Sequence, residues 1–134
     1  MDIDHTSLAY YGFSLGSVNG PVFTAIDQRF EAAIYLAGGQ NAGAPPELDV
    51  VNFAPRSVVP TLMINGRDDF IMPLETSQKP FLELLGAPPK DTRLALLEGG
   101  HLPPDRQAII RETRDWLDRY LGPVAPSAAA GASD

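Results

Sequence analysis

The chain of 134 residues carries a formal net charge of −7, no cysteine and two histidines, His5 and His101. That length suits one domain with a single core, and the lack of cysteine excludes disulfides, thiolate nucleophiles and Cys-based metal centres. Two histidines leave no His-rich metal site, so no metal or cofactor is expected, and an acidic balance without a Lys/Arg cluster opposes binding to a nucleic-acid backbone.

The N-terminus, Met1-Asp2-Ile3-Asp4, has acids where a secretory signal would carry positive charge, and no apolar run is long enough to span a membrane. A soluble cytoplasmic protein is expected. Asp2 to Ser7 read as a polar connector, with His5 on its surface. The aromatic and aliphatic run Leu8 to Tyr11 predicts a short buried parallel strand. It breaks at Gly12-Phe13-Ser14-Leu15-Gly16 and resumes with helical spacing of Val18, Val22, Ala25 and Ile26, which predicts a helix from Leu15 to about Arg29. Side chains at Gly12 or Gly16 are expected to collide with the neighbouring strand or helix, so the backbone can turn sharply only with glycine there. Pro21 lies beyond the first helical turn, where it removes a donor and presses on the preceding turn; a kink or break near Asn19-Gly20-Pro21 is expected.

Glu31 to Ala37 predicts a second buried strand ending at Gly38-Gly39. From Gln40 to Arg56 the prolines and Gly43 predict a long surface connection near the mouth of a site, with a brief helical piece over Leu48 to Phe53. The β-branched run from Val58 to Gly66 predicts the third strand, followed by Arg67-Asp68-Asp69-Phe70-Ile71-Met72-Pro73. A helix from Thr76 or Ser77 to Leu85 stops at Gly86, and Pro80 fits its first turn if it begins at Gln78 or Lys79. Thr92 to Glu98 predicts the fourth strand, which runs into Gly99-Gly100-His101-Leu102-Pro103. The last helix, Pro104 to Leu121, aligns Ile109, Ile110, Thr113, Trp116, Leu117 and Tyr120 in one stripe. After Gly122-Pro123 the small residues predict a disordered tail over 123–134.

Three features then fall into line. The pattern G-x-S-x-G between a strand and a helix resembles the nucleophile elbow of the α/β-hydrolases. G-x-x-D-x-x-x-P after the third strand resembles their acid loop, and E-G-G-H after the fourth resembles their histidine loop. Each motif has a plainer reading alone: Ser14 fits a helix cap, Asp69 a tight turn, and His101 a solvated loop residue. Together they stand in the family's order of serine, acid and histidine, each just past the C-terminal end of a predicted strand, where a parallel sheet gathers its site. The resemblance implies Ser14 as nucleophile, His101 as general base and Asp69 as the acid that orients it, with Asp68 the alternative acid. It implies the Leu15 amide at the oxyanion, and Phe70, Ile71, Met72, Leu102 and Pro103 as candidates for an apolar acyl pocket.

The implied fold is a parallel four-stranded half-sheet with flanking helices, like the second half of an α/β-hydrolase, spanning residues 1–122. The family's N-terminal strands have no counterpart, nor has the loop that supplies its second oxyanion amide. Such a half-sheet would expose the edge of Leu8 to Tyr11, so either self-association that covers this edge or a missing chain that completes the fold is expected. The implied function is a serine esterase acting on small carboxylic esters. Its alternatives are a catalytically idle module for binding or self-association, and a serine peptidase of the prolyl oligopeptidase type.

Overall fold

A computed structural model describes residues 7–40 and 44–123. Expectations for His5 and for the tail from 124 onward lie outside the described residues. Four strands, β1 (Leu8–Phe13), β2 (Phe30–Leu36), β3 (Thr61–Gly66) and β4 (Thr92–Leu97), form one sheet in the order β1-β2-β3-β4, every neighbouring pair parallel. The helices are α1 (Leu15–Ile26), α2 (Lys79–Leu84) and α3 (Arg106–Leu121). The parallel half-sheet with flanking helices is therefore the architecture expected from the alternation of apolar runs and helical periods. Among the described residues no helix is long and apolar enough to cross a membrane.

Because side chains alternate across a strand, β2 feeds two cores. Ala32, Ile34 and Leu36 join Leu62, Ile64 and Ala95 beneath Ile109 and Trp116 of α3. Ala33 and Tyr35 join Met63, Phe81 and Leu85 on the opposite face. With a layer on each side, β2 and β3 are buried almost throughout, which is why they read as continuous apolar runs. Ile110 departs from the expected stripe. It points to solvent at 54% exposure, because Ala108 and Ile109 take the buried positions at the start of α3.

Two further expectations are corrected. The helix α1 runs unbroken through Pro21, which is fully buried. The hydrogen bond lost at Pro21 is offset by tertiary packing: the backbone at Gly20 lies against the Tyr35 ring, and Thr24 donates to the Gly20 carbonyl at 3.1 Å. The connection after β2 is no mere surface loop either. Its two 3₁₀ turns, Val50–Asn52 and Ala54–Arg56, bury Val50 and Ala54 in the core that Tyr35 and Phe81 share. Apolar residues among prolines looked like linkage, and their burial depends on partners remote in sequence.

Candidate active site

The end of β1 is tied down before it turns. Ser14 stands between β1 and α1 with φ +50 and ψ −111, a left-handed torsion that favours glycine. Its amide donates to the Leu36 carbonyl at 2.9 Å, and its own carbonyl accepts from Val18 at 3.0 Å, so strand and helix both hold the residue. Close approach requires Gly12, where a Cβ would lie 2.6 Å from the Gly16 carbonyl group. The expectation for Gly16 fails, because among the described residues nothing beyond its own helix and chain neighbours lies within 4 Å of a Cβ built there. The tight spot is the contact itself, and only the strand side of it needs a missing side chain. Two hydroxyls brace the turn: Ser17 Oγ lies 2.7 Å from the carbonyls of both Gly12 and Leu36, and Tyr10 donates to the Gly16 carbonyl at 2.7 Å. Burial pushes the Tyr10 phenol pKa up, which keeps that proton in place.

Past β3, the loop bearing Asp69 lies against the loop bearing His101. A Cβ on Gly66 would run into the carbonyl oxygens of Gly99 and Gly100, so the two loops touch backbone to backbone. Arg67 donates to Leu97 at 2.8 Å and Asp68 to Gly99 at 3.0 Å, both through their main-chain amides. The two adjacent acids differ in place. The Asp68 side chain is exposed, whereas Asp69 is buried. Arg67 meets Glu98 at 3.4 Å.

Asp69 is fully engaged. Its Oδ1 accepts from the amides of Ile71 at 2.9 Å and Met72 at 3.0 Å, and its Oδ2 lies 2.8 Å from His101 Nδ1. A carboxylate only accepts, so Nδ1 carries the imidazole proton and Nε2 is left with a lone pair. That lone pair faces Ser14, whose Oγ is 2.8 Å away. The structure thus brings Ser14, His101 and Asp69 into one hydrogen-bonded run across three strand ends. Leu15 opens α1, in the first turn of which amides have no intrahelical partner.

Solved structures with the same arrangement of strands and helices include esterases. The zinc-bound form of a cold-adapted esterase from an Arctic intertidal metagenomic library superposes with TM-score 0.70 at 24% identity, over 84% of this chain and 48% of its own. An esterase of Pyrococcus furiosus gives TM-score 0.67 at 16% identity, over 87% of this chain and 54% of its own. The four strands and their helices form part of an α/β-hydrolase fold. The Pyrococcus horikoshii acylaminoacyl peptidase also shares it, with TM-score 0.55 at 19% identity over 87% of this chain and 23% of that one. The chain thus spans about half the length of the esterases it matches. No protein-family model and no curated protein sequence matches it.

Around the hydrolase-fold serine, the residues expected to line an acyl pocket divide. Phe70 at 82%, Leu102 at 56% and Ile71 at 50% exposure stand out from the loops. Met72 and Pro103 are buried instead; the Met72 sulfur lies 3.4 Å from the Ser77 hydroxyl and the side chain packs beside Gly39. Phe13 was not anticipated in the site, yet its ring lies 6.0 Å from the His101 ring. Its alternation with Gly12 and Ser14 at the strand end was the available signal. Gln78 was missed too. It occupies an apolar-face position three and seven residues ahead of Phe81 and Leu85, and a polar residue there marks an interior amide.

Proposed function

We propose that the protein is a serine esterase that cleaves small carboxylic esters through an acyl-enzyme intermediate. The observation that carries this reading is the pair of 2.8 Å contacts, Ser14 Oγ to His101 Nε2 and His101 Nδ1 to Asp69 Oδ2. In the proposed cycle Ser14 Oγ adds to the ester carbonyl carbon while its proton passes to Nε2. The carbonyl π pair moves onto oxygen, where the Leu15 amide and the α1 dipole favour negative charge. Collapse of this adduct breaks the bond to the alcohol, which leaves with the proton from Nε2. Water then adds to the acyl-enzyme by the same route, releasing the carboxylic acid and restoring Ser14. Asp69 holds the imidazole with its lone pair toward Ser14 and offsets the positive charge it gains. Phe70, Ile71 and Leu102 are proposed to contact the acyl chain.

A fluorophosphonate probe tests the reading directly. Covalent labelling is expected on Ser14, absent in Ser14→Ala, together with hydrolysis of short p-nitrophenyl esters. A folded protein that takes up no probe and cleaves no ester is an idle module. Cleavage of peptide anilides but not esters would move the assignment to a peptidase.

We further propose that two copies pair across β1. In the described sheet β1 has a partner on one side only. Tyr11 and Phe13 on it are each about half exposed. An unpaired strand edge with apolar residues beside it invites pairing. Sedimentation velocity across a concentration series should show a dimer; a fully active monomer throughout would refute the pairing.

A further inference from the structure

Gln78 closes the π-helical turn Leu74–Gln78 that leads into α2, and its side chain is wholly buried. Burying an amide is costly unless it is hydrogen-bonded; Oε1 has no partner among the described residues, and the bonds that the nitrogen makes are specific. Its Nε2 donates to the Met72 carbonyl at 2.7 Å and to the Gly66 carbonyl at 3.1 Å. Both acceptors are carbonyl oxygens, which cannot donate, so the orientation of the amide is fixed by chemistry.

Those two carbonyls are the ends of the acid loop. Gly66 is the last residue of β3, Met72 precedes Pro73, and Asp69 lies midway between them. One side-chain nitrogen therefore holds both ends of the loop that carries the carboxylate. The Met72 backbone is gripped on both sides: its amide donates to Asp69 Oδ1 at 3.0 Å, and its carbonyl accepts from Gln78. A continuous run of hydrogen bonds thus leads from Gln78 through Met72 to Asp69, and on to His101 and Ser14.

We propose that Gln78 is a positioning residue: by bonding the carbonyls of Gly66 and Met72, it closes the acid loop and aims Asp69 Oδ2 at His101 Nδ1. It touches none of the reacting atoms. Without its donors the loop ends are free to part, Met72 shifts, and the carboxylate turns away from the imidazole. The inference extends the esterase reading, but one arm of its test does not depend on catalysis.

The test replaces Gln78 in the full chain by methionine, which has similar volume and no donor. Proton NMR reads the low-field His101 Nδ1 proton, which the charge-assisted bond to Asp69 deshields and protects from exchange. In Gln78→Met this signal is expected to vanish into exchange. Hydrolysis of p-nitrophenyl butyrate should lose roughly 10- to 100-fold in kcat while KM stays within about twofold, since a small misplacement of the acid penalises the transition state more than binding. Ser57→Ala serves as the control, because Ser57 is a buried hydroxyl bonded to Thr24 at 2.7 Å, away from the acid loop. It should lower the melting temperature and leave the low-field proton and kcat as they were.

A folded Gln78→Met with the parental low-field proton and parental kcat overturns the proposal. Should that variant not fold, Gln78→Glu, which keeps the volume, is measured in its place: loss of the proton signal and of kcat supports the proposal, and parental values of both overturn it. Failure of both variants to fold would assign Gln78 to the core alone and equally overturn it. If the parent protein shows no ester hydrolysis, the esterase reading falls, while the NMR comparison still decides the part played by Gln78.

Discussion

On the proposed esterase reading, ester hydrolysis is expected to drop on the order of a millionfold in His101→Ala, with probe labelling of Ser14 falling alongside it. Among the described residues no other base bonds Ser14 Oγ, so its proton loses the acceptor seen here once the imidazole is gone. Asp69→Asn should cost about ten-thousandfold for a different reason. The Oδ1 position accepts two main-chain amides, from Ile71 and Met72. An asparagine must keep its oxygen there, which turns its NH₂ toward His101 Nδ1. Two donors cannot share that contact, so the imidazole proton moves to Nε2 and faces Ser14 where a lone pair is needed. The double variant should be barely worse than His101→Ala alone, because the two residues act as one unit. Initial rates on a p-nitrophenyl ester for the three variants check all of this. An Asp69→Asn protein within tenfold of the parent would show that the carboxylate does not set the tautomer.

Gly66→Ala is expected to lose about 3 kcal/mol of stability, the upper range for forcing an extra carbon into close packing, with two main-chain hydrogen bonds at risk. A Cβ there meets the Gly99 and Gly100 carbonyl oxygens, with the Gly100 carbonyl carbon at 2.8 Å. Each obstruction is backbone, so no rotamer relieves it. The loops must separate, which strains the bonds from Arg67 to Leu97 and from Asp68 to Gly99. For a domain of this size the melting temperature should fall by roughly 10 °C. Gly16→Ala makes the opposite case: with open space around the new Cβ and a place in the first turn of α1, it should be neutral or slightly stabilising. Thermal unfolding of the pair distinguishes crowding from a general intolerance of substitution near the site.

Much of this architecture could be read from local pattern. Strands β2 and β3 announce themselves because both faces are covered, leaving unbroken apolar runs. The turn at Ser14 was visible because small residues bracket a serine where strand period gives way to helix period. What resisted reading depends on partners far along the chain. Pro21 looks like a helix breaker until Tyr35 is known to pack against Gly20, and Val50 and Ala54 look like linker until Phe81 is known to lie beside them. Ile110 matches the period of its helix yet faces solvent, since a stripe predicts one face and packing chooses its width. In the site, motif spacing named Ser14, Asp69 and His101, but the two 2.8 Å contacts between them are products of the sheet register that no spacing rule contains. Gln78 lay hidden because its acceptors are main-chain carbonyls, and carbonyls are the same at every position.

The torsion at Ser14 sets two demands on the molecule against each other. A non-glycine residue held at φ +50 gives up about 1–3 kcal/mol. Glycine would sit there without strain, but it has no hydroxyl. A population of variants screened only for survival on heating should therefore drift toward glycine at this one residue, gaining robustness as it discards the hydroxyl. Heat tolerance alone is then a poor guide to which descendants of this sequence keep the hydroxyl on which the proposed chemistry depends.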